Sequence, residues 1–399
     1  MKAYMVASDK SIEPFGDHPR DCLIANRKLG EMQEEVLKEL GLELKVVPDS
    51  KLIEDSGEHI LFVDSLYFSK ELLQEFIAKS RELRECTICA LKPGITTLRS
   101  ITATQDVKVY DDRVEYGISY MPPQGFRKEP VPLVFYVDRF YQDIPMPEHF
   151  MGAPSYRMPV TDRILIQVDH WVNLWAANIA TLLSGGDKLK RASTLQLLAL
   201  AFKARSFNQW KVLNSLNEIG RHCDIHPTAY VEGSTIGDGV KVGAGSVIRE
   251  SVVEDGTYIA NNVTIEAGVV GEKSFVGNKS VIQYAVLYPG TFFTDAMISA
   301  GVTGRESFVG GGVTLSDFRL DGKHVTVMKD GILVSTENSI IGSCLGHGVY
   351  LSAGCIVAPG RAIPNGLRLA PEGHPVIRKC SADGHVPGFQ RIEVVLPDS

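Results

Sequence analysis

The sequence predicts an α/β amino-terminal domain followed by an all-β domain folded as a left-handed parallel β-helix. The amino-terminal part alternates strand-like and helix-like segments, which is typical of a largely parallel α/β sheet. Further on, aliphatic residues recur six, six and then five positions apart, as expected for coils of three short strands with one inward side chain per face. The predicted inward residues are Ile219, Ile225, Val231, Ile236, Val242, Ile248, Val253, Ile259, Ile265, Val270, Val276 and Ile282.

Glycines accompany this six-residue repeat. Gly237, Gly243, Gly277 and Gly342 each follow an aliphatic residue directly. An α-helix would space its apolar residues by about 3.6 positions and an ordinary strand by about two, so neither explains the pattern. The β-helix interpretation is therefore the one that the spacing favours.

The β-helix is expected to run from about residue 219 to residue 370, with one interruption. Residues 317–339 break the spacing and are predicted to leave a coil as a loop or hairpin. Residues 371–399 have no period, and we expect this tail to pack on the outside or to reach a neighbouring chain. The repeat resumes at Ile340, Leu345, Leu351, Val357 and Ile363.

Short strands and amphipathic helices follow one another in the amino-terminal domain, which we expect to comprise residues 1–170. Strands are predicted at residues 3–7, 44–47 and 60–63, because these are short apolar runs. Helices are predicted at residues 26–40 and 69–83 from their apolar spacing, with a Ser as the amino-terminal cap of the second.

The pattern changes after residue 107. Residues 107–168 are strand-rich and irregular, with many prolines. Residues 171–218 are predicted to be a helical connector, with a break at the Ser-Gly-Gly sequence of residues 184–186.

Composition limits the class of protein. A net charge of −7 and a pI near 5.8 argue against nucleic acid as a main partner, because phosphate binding needs a basic face. No apolar run is long enough to span a membrane, and the first residues lack the apolar core of a signal peptide. The seven scattered cysteines fit reduced thiols in the cytoplasm, and Cys86 and Cys89, although spaced as C-x-x-C, are predicted to fill a strand.

Several segments resemble one known family. Residues 310–323 contain a glycine-rich stretch followed by Asp and Lys, and residues 341–343 and 358–360 are Ile-Gly-Ser and Ala-Pro-Gly. Residues 19–29 resemble the Pro-Lys stretch that enters the first long helix of that family, and residues 63–73 resemble a strand that delivers a metal-binding Asp. The chain is thus similar to the sugar-1-phosphate nucleotidyltransferases with a hexapeptide-repeat domain, in particular to the bifunctional enzymes that make UDP-N-acetylglucosamine and their archaeal relatives.

The resemblance implies a Rossmann-like nucleotidyltransferase fold for the amino-terminal domain and a site for a sugar phosphate or nucleotide sugar. Asp64, and more weakly Asp169, would hold Mg²⁺, because each ends an apolar strand at the edge where ligands gather in open α/β sheets. Arg20 or Lys10 would bind the phosphates. Alternatively, the two aspartates cap turns and the two cations are solvated surface charges.

Two features depart from the family pattern. The Gly-x-Gly-x-Arg loop after the first strand, whose backbone N–H groups would approach a triphosphate, is replaced by residues 7–16, which contain Asp9 and Glu13. In the β-helix, no His precedes the glycine-rich coil, and the family's Asn-Tyr pair is replaced by Asp317 and Phe318. The first departure weighs against nucleotidyl transfer, and the second weighs against acetyl transfer by the family's mechanism.

Acyl transfer with acyl-CoA as co-substrate would need a His base, with backbone N–H groups holding the thioester oxygen. The candidates for this base are His347 in a turn-like position and His324 in the interrupting loop, whereas His226 in the first coil is expected to be structural. Three cations would bind the phosphates of CoA or of a sugar nucleotide, unless each is a solvated charge: Arg319, Lys323 and Arg361.

Three hypotheses therefore remain open from the sequence. The chain is a nucleotidyltransferase with an altered nucleotide loop, an acyltransferase acting through the β-helix, or a non-catalytic ligand-binding or scaffold protein. In each case we expect a homotrimer, because the flat faces of a β-helix are most simply buried around a threefold axis. The sequence does not select the sugar, the nucleobase or the acyl group.

Overall fold

The computed structural model describes residues 1–53, 57–123, 129–151, 154–190, 193, 202, 216–372, 376–377, 379–381, 383–387 and 389–391. Its contacts divide the chain into two compact units. Unit 1 comprises residues 1–12 and 16–190, and unit 2 comprises residues 13–15 and 191–399. Most of the predicted connector beyond residue 190 lies outside the described residues.

Unit 1 is an α/β domain. Its helices are α1 (Leu29–Glu39), α2 (Lys70–Leu83), α3 (Ile95–Arg99), α4 (Glu148–Met151) and α5 (Trp171–Lys190), with 3₁₀ turns at Pro19–Asp21, Ser50–Leu52 and Thr102–Thr104. Its strands are β1 (Lys2–Val6), β2 (Leu23–Ile24), β3 (Arg27–Lys28), β4 (Glu43–Val47), β5 (His59–Val63), β6 (Leu66–Phe68), β7 (Thr87–Leu91), β8 (Lys108–Val109), β9 (Val114–Met121), β10 (Val131–Phe135), β11 (Phe140–Pro145), β12 (Ser155–Val160) and β13 (Leu165–Gln167).

The main sheet of unit 1 has the order β10-β7-β9-β5-β1-β4, with β8 paired to β9. Strands β4, β1 and β5 are parallel, as are β7 and β10, whereas β9 runs antiparallel between β5 and β7. The sheet is therefore largely parallel, as the sequence predicts. The strand order reverses at β1, whose neighbours are β4 on one side and β5 on the other.

Helices α1 and α2 of unit 1 begin and end close to their predicted positions, α3 and α4 were not predicted, and α5 requires a correction. The Ser69 hydroxyl accepts a hydrogen bond from the backbone N–H of Leu72 and caps α2, as expected. However, α5 continues through Gly185 and Gly186, where a break was predicted. A glycine inside a helix costs about 1 kcal/mol relative to alanine, and the buried apolar residues of this helix offset that cost.

Unit 2 is a left-handed parallel β-helix whose strands form three sheets, each taking every third strand of the coils. Its strands are β14 (Glu218–Ile219), β15 (Asp224–Ile225), β16 (Tyr230–Glu232), β17 (Thr235–Ile236), β18 (Lys241–Val242), β19 (Val247–Arg249), β20 (Val252–Val253), β21 (Tyr258–Ile259), β22 (Thr264–Glu266), β23 (Val269–Val270), β24 (Phe275–Val276), β25 (Val281–Gln283), β26 (Val286–Leu287), β27 (Phe292–Phe293), β28 (Met297–Ser299), β29 (Val302–Thr303), β30 (Phe308–Val309), β31 (Thr314–Leu315), β32 (Thr326–Lys329), β33 (Ile332–Ser335), β34 (Cys344–Leu345), β35 (Tyr350–Leu351), β36 (Ile356–Val357), β37 (Ala362–Ile363), β38 (Arg368–Pro371), β39 (Val376–Ile377) and β40 (Phe389–Arg391).

The predicted register of the coils agrees with the strand pairing. Ile236 pairs with Val253 and Val253 with Val270, and all three side chains are buried in the core of the β-helix. The prediction is wrong for Ile219, which is 53% exposed. Its strand is the first of its sheet among the described residues, so a following coil covers it on one side only.

Residues 317–339, which interrupt the repeat, and the tail after residue 370 both contain strands. Strands β32 and β33 make an antiparallel hairpin inside residues 317–339, where a loop or hairpin was predicted. In the tail, β39 continues one of the three sheets and β40 pairs antiparallel with β38. The described part of the tail thus belongs to the β-helix itself.

The outer surface of one sheet carries a ladder of stacked aromatic rings. The centroids of successive rings are 4.6 to 5.7 Å apart, and Arg368 lies 4.0 Å from the centroid of the last ring. Stacking at this spacing follows from the strand separation and stabilises coil against coil. The rings are those of Tyr258, Phe275, Phe292, Phe308 and Tyr350.

The cysteines are free thiols, and Cys86 and Cys89 are buried beside or within β7, in agreement with their predicted role as strand filling. Burial raises the pKa of both thiols, which makes them poor nucleophiles. None of the described helices is both long enough and apolar enough to cross a membrane.

Candidate functional site

Two strand-end carboxylates lie in one cluster at the carboxyl-end edge of the sheet of unit 1. Asp64 directly follows β5, and Asp169 comes two residues after β13. Strand β13 pairs with β6, so the Ser65 hydroxyl reaches Asp169 Oδ1 at 3.1 Å. Residues far apart in the sequence are thereby brought together at one edge of the sheet.

The loop that follows β1 covers the Asp64 carboxylate and donates hydrogen bonds to it. The backbone N–H of Ser8 donates to Asp64 Oδ2 at 2.5 Å, and its hydroxyl donates to Oδ1 at 3.0 Å. His18 Nε2 lies 3.3 Å from Oδ2. Because His18 Nδ1 accepts from the backbone N–H of Arg20, its Nε2 is left to donate, and this hydrogen bond goes to the Ser8 carbonyl oxygen at 3.0 Å, beside Asp64. The Asp64 side chain is 1% exposed.

The Asp169 carboxylate also accepts hydrogen bonds from several protein groups. Its Oδ1 accepts from Lys10 Nζ at 2.9 Å, and its Oδ2 accepts from Gln167 Nε2 and from the backbone N–H of Asp106, both at 2.8 Å. The side chain is 2% exposed. The bond from Ser65 completes a set of four donors, as many as a carboxylate ordinarily accepts.

Lys10 joins Asp169 to a third carboxylate. Its Nζ also donates to Asp106 Oδ2 at 2.5 Å, and the side chains of Lys10 and Asp106 are 39% and 48% exposed. Burial alone would lower the pKa of Lys10, but the hydrogen bonds to Asp106 and Asp169 outweigh it, so the pKa is raised. Lys10 and Asp106 therefore form the solvent-facing part of the cluster.

The Mg²⁺ implied by the family resemblance would need oxygen lone pairs of Asp64 and Asp169. Both carboxylates are buried, Asp169 accepts four hydrogen bonds from protein donors and Asp64 accepts two from Ser8, and an ammonium group already contacts Asp169. Within the described part of the chain, no three His, Cys, Asp or Glu side chains are arranged to hold a metal ion. The residues in this arrangement do not fit the ion.

The side chain of Arg20, the other predicted phosphate ligand, contacts helix α1. Its Nη2 donates to Glu34 Oε1 at 2.6 Å, and the Gly30 carbonyl oxygen is 3.5 Å away. The structure thus unites Lys10, Asp64 and Asp169 and leaves Arg20 engaged with a neighbouring helix.

Sequence reasoning missed five members of the cluster, of which Ser65 directly follows a predicted site residue. Ser8 and His18 lie in or near the loop that replaces the glycine motif, and polar residues after the first strand were the available signal. Asp106 and Gln167 had no such signal, because Asp106 follows no strand and Gln167 lies inside an apolar one. Only the packing of the chain brings them to the cluster.

In unit 2, His347 is engaged by Arg305 at both ring nitrogens. The backbone N–H of Arg305 donates to Nδ1 at 2.9 Å, and its Nη1 lies 2.9 Å from Nε2. The ring also stacks at 6.0 Å from the Tyr288 ring. A general base needs one ring nitrogen turned toward its substrate, so this geometry disfavours His347 in that role.

The other predicted residues of unit 2 lie on the interrupting loop or contact it. Arg319 pairs with Asp321 at 2.5 Å and holds the pKa of that carboxyl well below its usual range. Arg361 Nη2 donates to the Thr326 carbonyl at 2.8 Å, and burial together with the charge of Arg319 lowers the pKa of Arg361. Lys323 and His324 are both exposed on the same loop.

Two further residues of unit 2 have structural contacts. His226 Nδ1 lies 2.9 Å from the Thr228 hydroxyl in the first coil, which fits the structural role expected for it. Asp317 accepts a hydrogen bond from the Ser299 hydroxyl at 2.6 Å. Neither arrangement presents a reactive group.

No protein-family model matches the sequence, and no curated protein matches it either. Among solved structures, the chain is similar to the UDP-N-acetylglucosamine acyltransferase of Francisella novicida, with 12% identity over 45% of this chain and 69% of that one and a TM-score of 0.22. It is also similar to a hexapeptide transferase family protein from Anaplasma phagocytophilum, with 16% identity over 45% and 84% of the two chains and a TM-score of 0.22.

A third similar structure is a variant of the GDP-perosamine N-acetyltransferase of Caulobacter crescentus, solved with CoA and GDP-perosamine. Its identity is 16%, over 43% of this chain and 56% of that one, with a TM-score of 0.14. At such identities the likeness concerns the fold and not the activity. The class that the fold defines is the left-handed β-helix of hexapeptide repeats joined to an α/β domain.

Proposed function

We propose that the chain is a transferase of nucleotide-sugar metabolism and that unit 1 binds a sugar phosphate or a nucleotide sugar at the carboxylate cluster. The observation that carries this proposal is the joining of Asp64 and Asp169 through Ser65 at the carboxyl-end edge of the sheet. Open α/β sheets bind ligands at this edge, beside the strand where the order reverses. Here that strand is β1, and its following loop supplies Lys10.

The solvent-facing pair suits such a ligand chemically. The Lys10 ammonium donates hydrogen bonds that a phosphate oxygen accepts, and the Asp106 carboxylate accepts hydrogen bonds that sugar hydroxyls donate. Asp64 and Asp169 lie beneath this pair and act as positioning residues, because they fix the loop and the ammonium. The nucleotidyl-transfer version of the proposal joins a sugar phosphate to the α-phosphorus of a triphosphate and releases pyrophosphate.

A thermal-shift screen tests ligand binding, because a ligand that binds only the native state raises the melting temperature. The wild-type protein would be screened with sugar 1-phosphates, nucleoside triphosphates, UDP-sugars and acyl-CoAs. We expect sugar phosphates or nucleotide sugars to raise Tm, and Asp106→Asn to reduce that rise. Asp143→Asn, which alters an exposed carboxylate of the β11–β12 hairpin, should leave it unchanged.

Pyrophosphate release from pairs of sugar phosphates and triphosphates tests nucleotidyl transfer separately. Release that Asp106→Asn reduces would support that version of the proposal. Binding without release of pyrophosphate or of CoA would leave the non-catalytic alternative. The proposed site would be contradicted if none of these compounds raised Tm and none was turned over.

A second candidate is acyl transfer from acyl-CoA on the β-helix. Arg361 contacts the interrupting loop at Thr326, and the loop itself carries Arg319 and the exposed Lys323 and His324, which together support an anion site there. Release of free CoA thiol would be followed with sugar nucleotides as acceptors. His324→Ala should abolish that release while His222→Ala, in an exposed turn of the first coil, preserves it; equal rates in both variants would argue against this candidate.

A further inference from the structure

The carboxylate cluster of unit 1 contains a cation that belongs to the chain itself. Lys10 Nζ lies 2.5 Å from Asp106 Oδ2 and 2.9 Å from Asp169 Oδ1, so that one ammonium bridges two carboxylates. A divalent ion shared by two carboxylates would occupy the same kind of position, although with shorter bonds. The loop that delivers Lys10 stands where the resemblance implies a glycine loop.

We propose that Lys10 takes the place of the divalent cation that the family resemblance implies. The inference rests on the proposed function only in identifying this cluster as the ligand site, and it does not require turnover. With the ammonium in place, a second cation beside Asp106 and Asp169 would be repelled by it. Asp64, the other implied ligand, is closed off by Ser8 and His18.

The consequence is a ligand site that works without a divalent metal. The single charge of Lys10 is fixed by the fold, so neither chelation nor added metal should change the site of the wild-type protein. Removing the ammonium should leave Asp106 and Asp169 facing each other without their shared cation. Such a pair of carboxylates is the kind of oxygen site that Mg²⁺ and Mn²⁺ prefer.

Metal rescue of a Lys10 variant tests this inference. Mn²⁺ binding would be measured by loss of the free-ion electron paramagnetic resonance signal, and Tm would be recorded with EDTA and with MnCl₂. Wild type should show the same Tm in both. Lys10→Ala should melt lower in EDTA, recover with MnCl₂, and bind Mn²⁺ at least about tenfold more tightly than wild type, because loss of the ammonium frees a lone pair of Asp169 Oδ1 beside the Asp106 carboxylate.

Two controls accompany the measurement. Lys10→Ala combined with Asp106→Asn should lose the Mn²⁺ response, because one of the two carboxylates is gone. Lys45→Ala, which removes an ammonium from an exposed pair with Glu43, should behave like wild type. If Lys10→Ala does not fold, Lys10→Met keeps the aliphatic stem and is measured in the same way.

Two results would overturn the inference. One is a wild-type protein that binds Mn²⁺ as tightly as the Lys10 variant. The other is a folded Lys10 variant whose Tm does not respond to Mn²⁺. Because neither readout depends on sugar phosphates, a Mn²⁺ rescue without any sugar-ligand shift would refute the proposed function and leave the inference about Lys10 standing.

Discussion

Asp64 is a buried carboxylate whose charge is stabilised by hydrogen bonds from the loop after β1. Replacing it with Asn turns one acceptor oxygen into a donor that faces the Ser8 N–H or hydroxyl. A buried donor or acceptor left without a partner costs about 1–3 kcal/mol. We therefore expect Asp64→Asn to lower the free energy of unfolding by about that amount, measured by urea denaturation.

The metal-ligand role that the sequence predicts for Asp64 implies instead that Asp64→Asn abolishes turnover and leaves the fold intact. Asp143→Asn is the matched control, because Asp143 is exposed and should change stability by less than about 0.5 kcal/mol. An Asp64→Asn protein as stable as wild type would mean that the loop contacts contribute little.

Glu58 provides a pH-dependent contribution to stability. The hydrogen bond from Arg81, followed by that from the Tyr120 hydroxyl, lowers the pKa of Glu58 below its unfolded value despite partial burial. A group whose pKa is lower in the folded state stabilises fully above the unfolded pKa, and this stability is lost as the pH falls through the folded pKa. The stabilisation by Glu58 should therefore be present at neutral pH and disappear in acid.

We expect Glu58→Gln to be less stable than wild type at pH 7 by about 0.5–1 kcal/mol, since the pair is partly exposed. The difference should shrink as the pH is lowered below the usual glutamate range. Urea denaturation of both proteins at a series of pH values from 3 to 7 measures this difference in the free energy of unfolding at each pH. A difference that is constant across this range would show that the charge of Glu58 is not responsible.

At the scale of the coil, the two neighbouring residues of β18 have opposite surroundings. Val242 points into the core and is 3% exposed, whereas Lys241 points outward and is exposed. Val242→Asp would bury an unpaired carboxylate between coils and should cost several kcal/mol, about 3 or more. Lys241→Asp introduces the same side chain on the outer surface and should change stability by less than about 1 kcal/mol.

Thermal melting of the two variants compares the faces of one strand directly. A Val242→Asp protein that melts like wild type would mean that the inward register is wrong. Equal destabilisation by both substitutions would mean that β18 tolerates no aspartate at all, whichever way the side chain points.

For the whole molecule, the sequence predicts a homotrimer, and this stays a prediction. The edges of stacked coils are closed by their neighbours, so the flat faces of the β-helix are the surfaces left for association. Light scattering on the purified protein should give three times 43.7 kDa. A monomer at micromolar concentration would contradict the prediction.

The β-helix could be predicted from the sequence almost residue by residue. Inward positions such as Ile236 and Val253 must recur at fixed intervals because each coil closes on itself, so local spacing is enough to locate them. Two exceptions are Ile219, whose exposure depends on whether another coil precedes it, and Ile340, which is half-buried and lies outside the coil strands. Outside the β-helix, the sequence prediction also fails at helix α5, where no break occurs because buried apolar contacts outweigh the weak helix propensity of Gly185 and Gly186.

The sequence by itself determined the two kinds of fold and the strand-end positions of Asp64 and Asp169. Only the tertiary structure decided that Lys10 bridges Asp169 and Asp106, and that Arg20 binds Glu34 instead. The physical reason is one of range. Periodicity and capping depend on neighbours within a few positions, whereas the partners of a charged side chain are chosen by the packing of segments far apart in the chain.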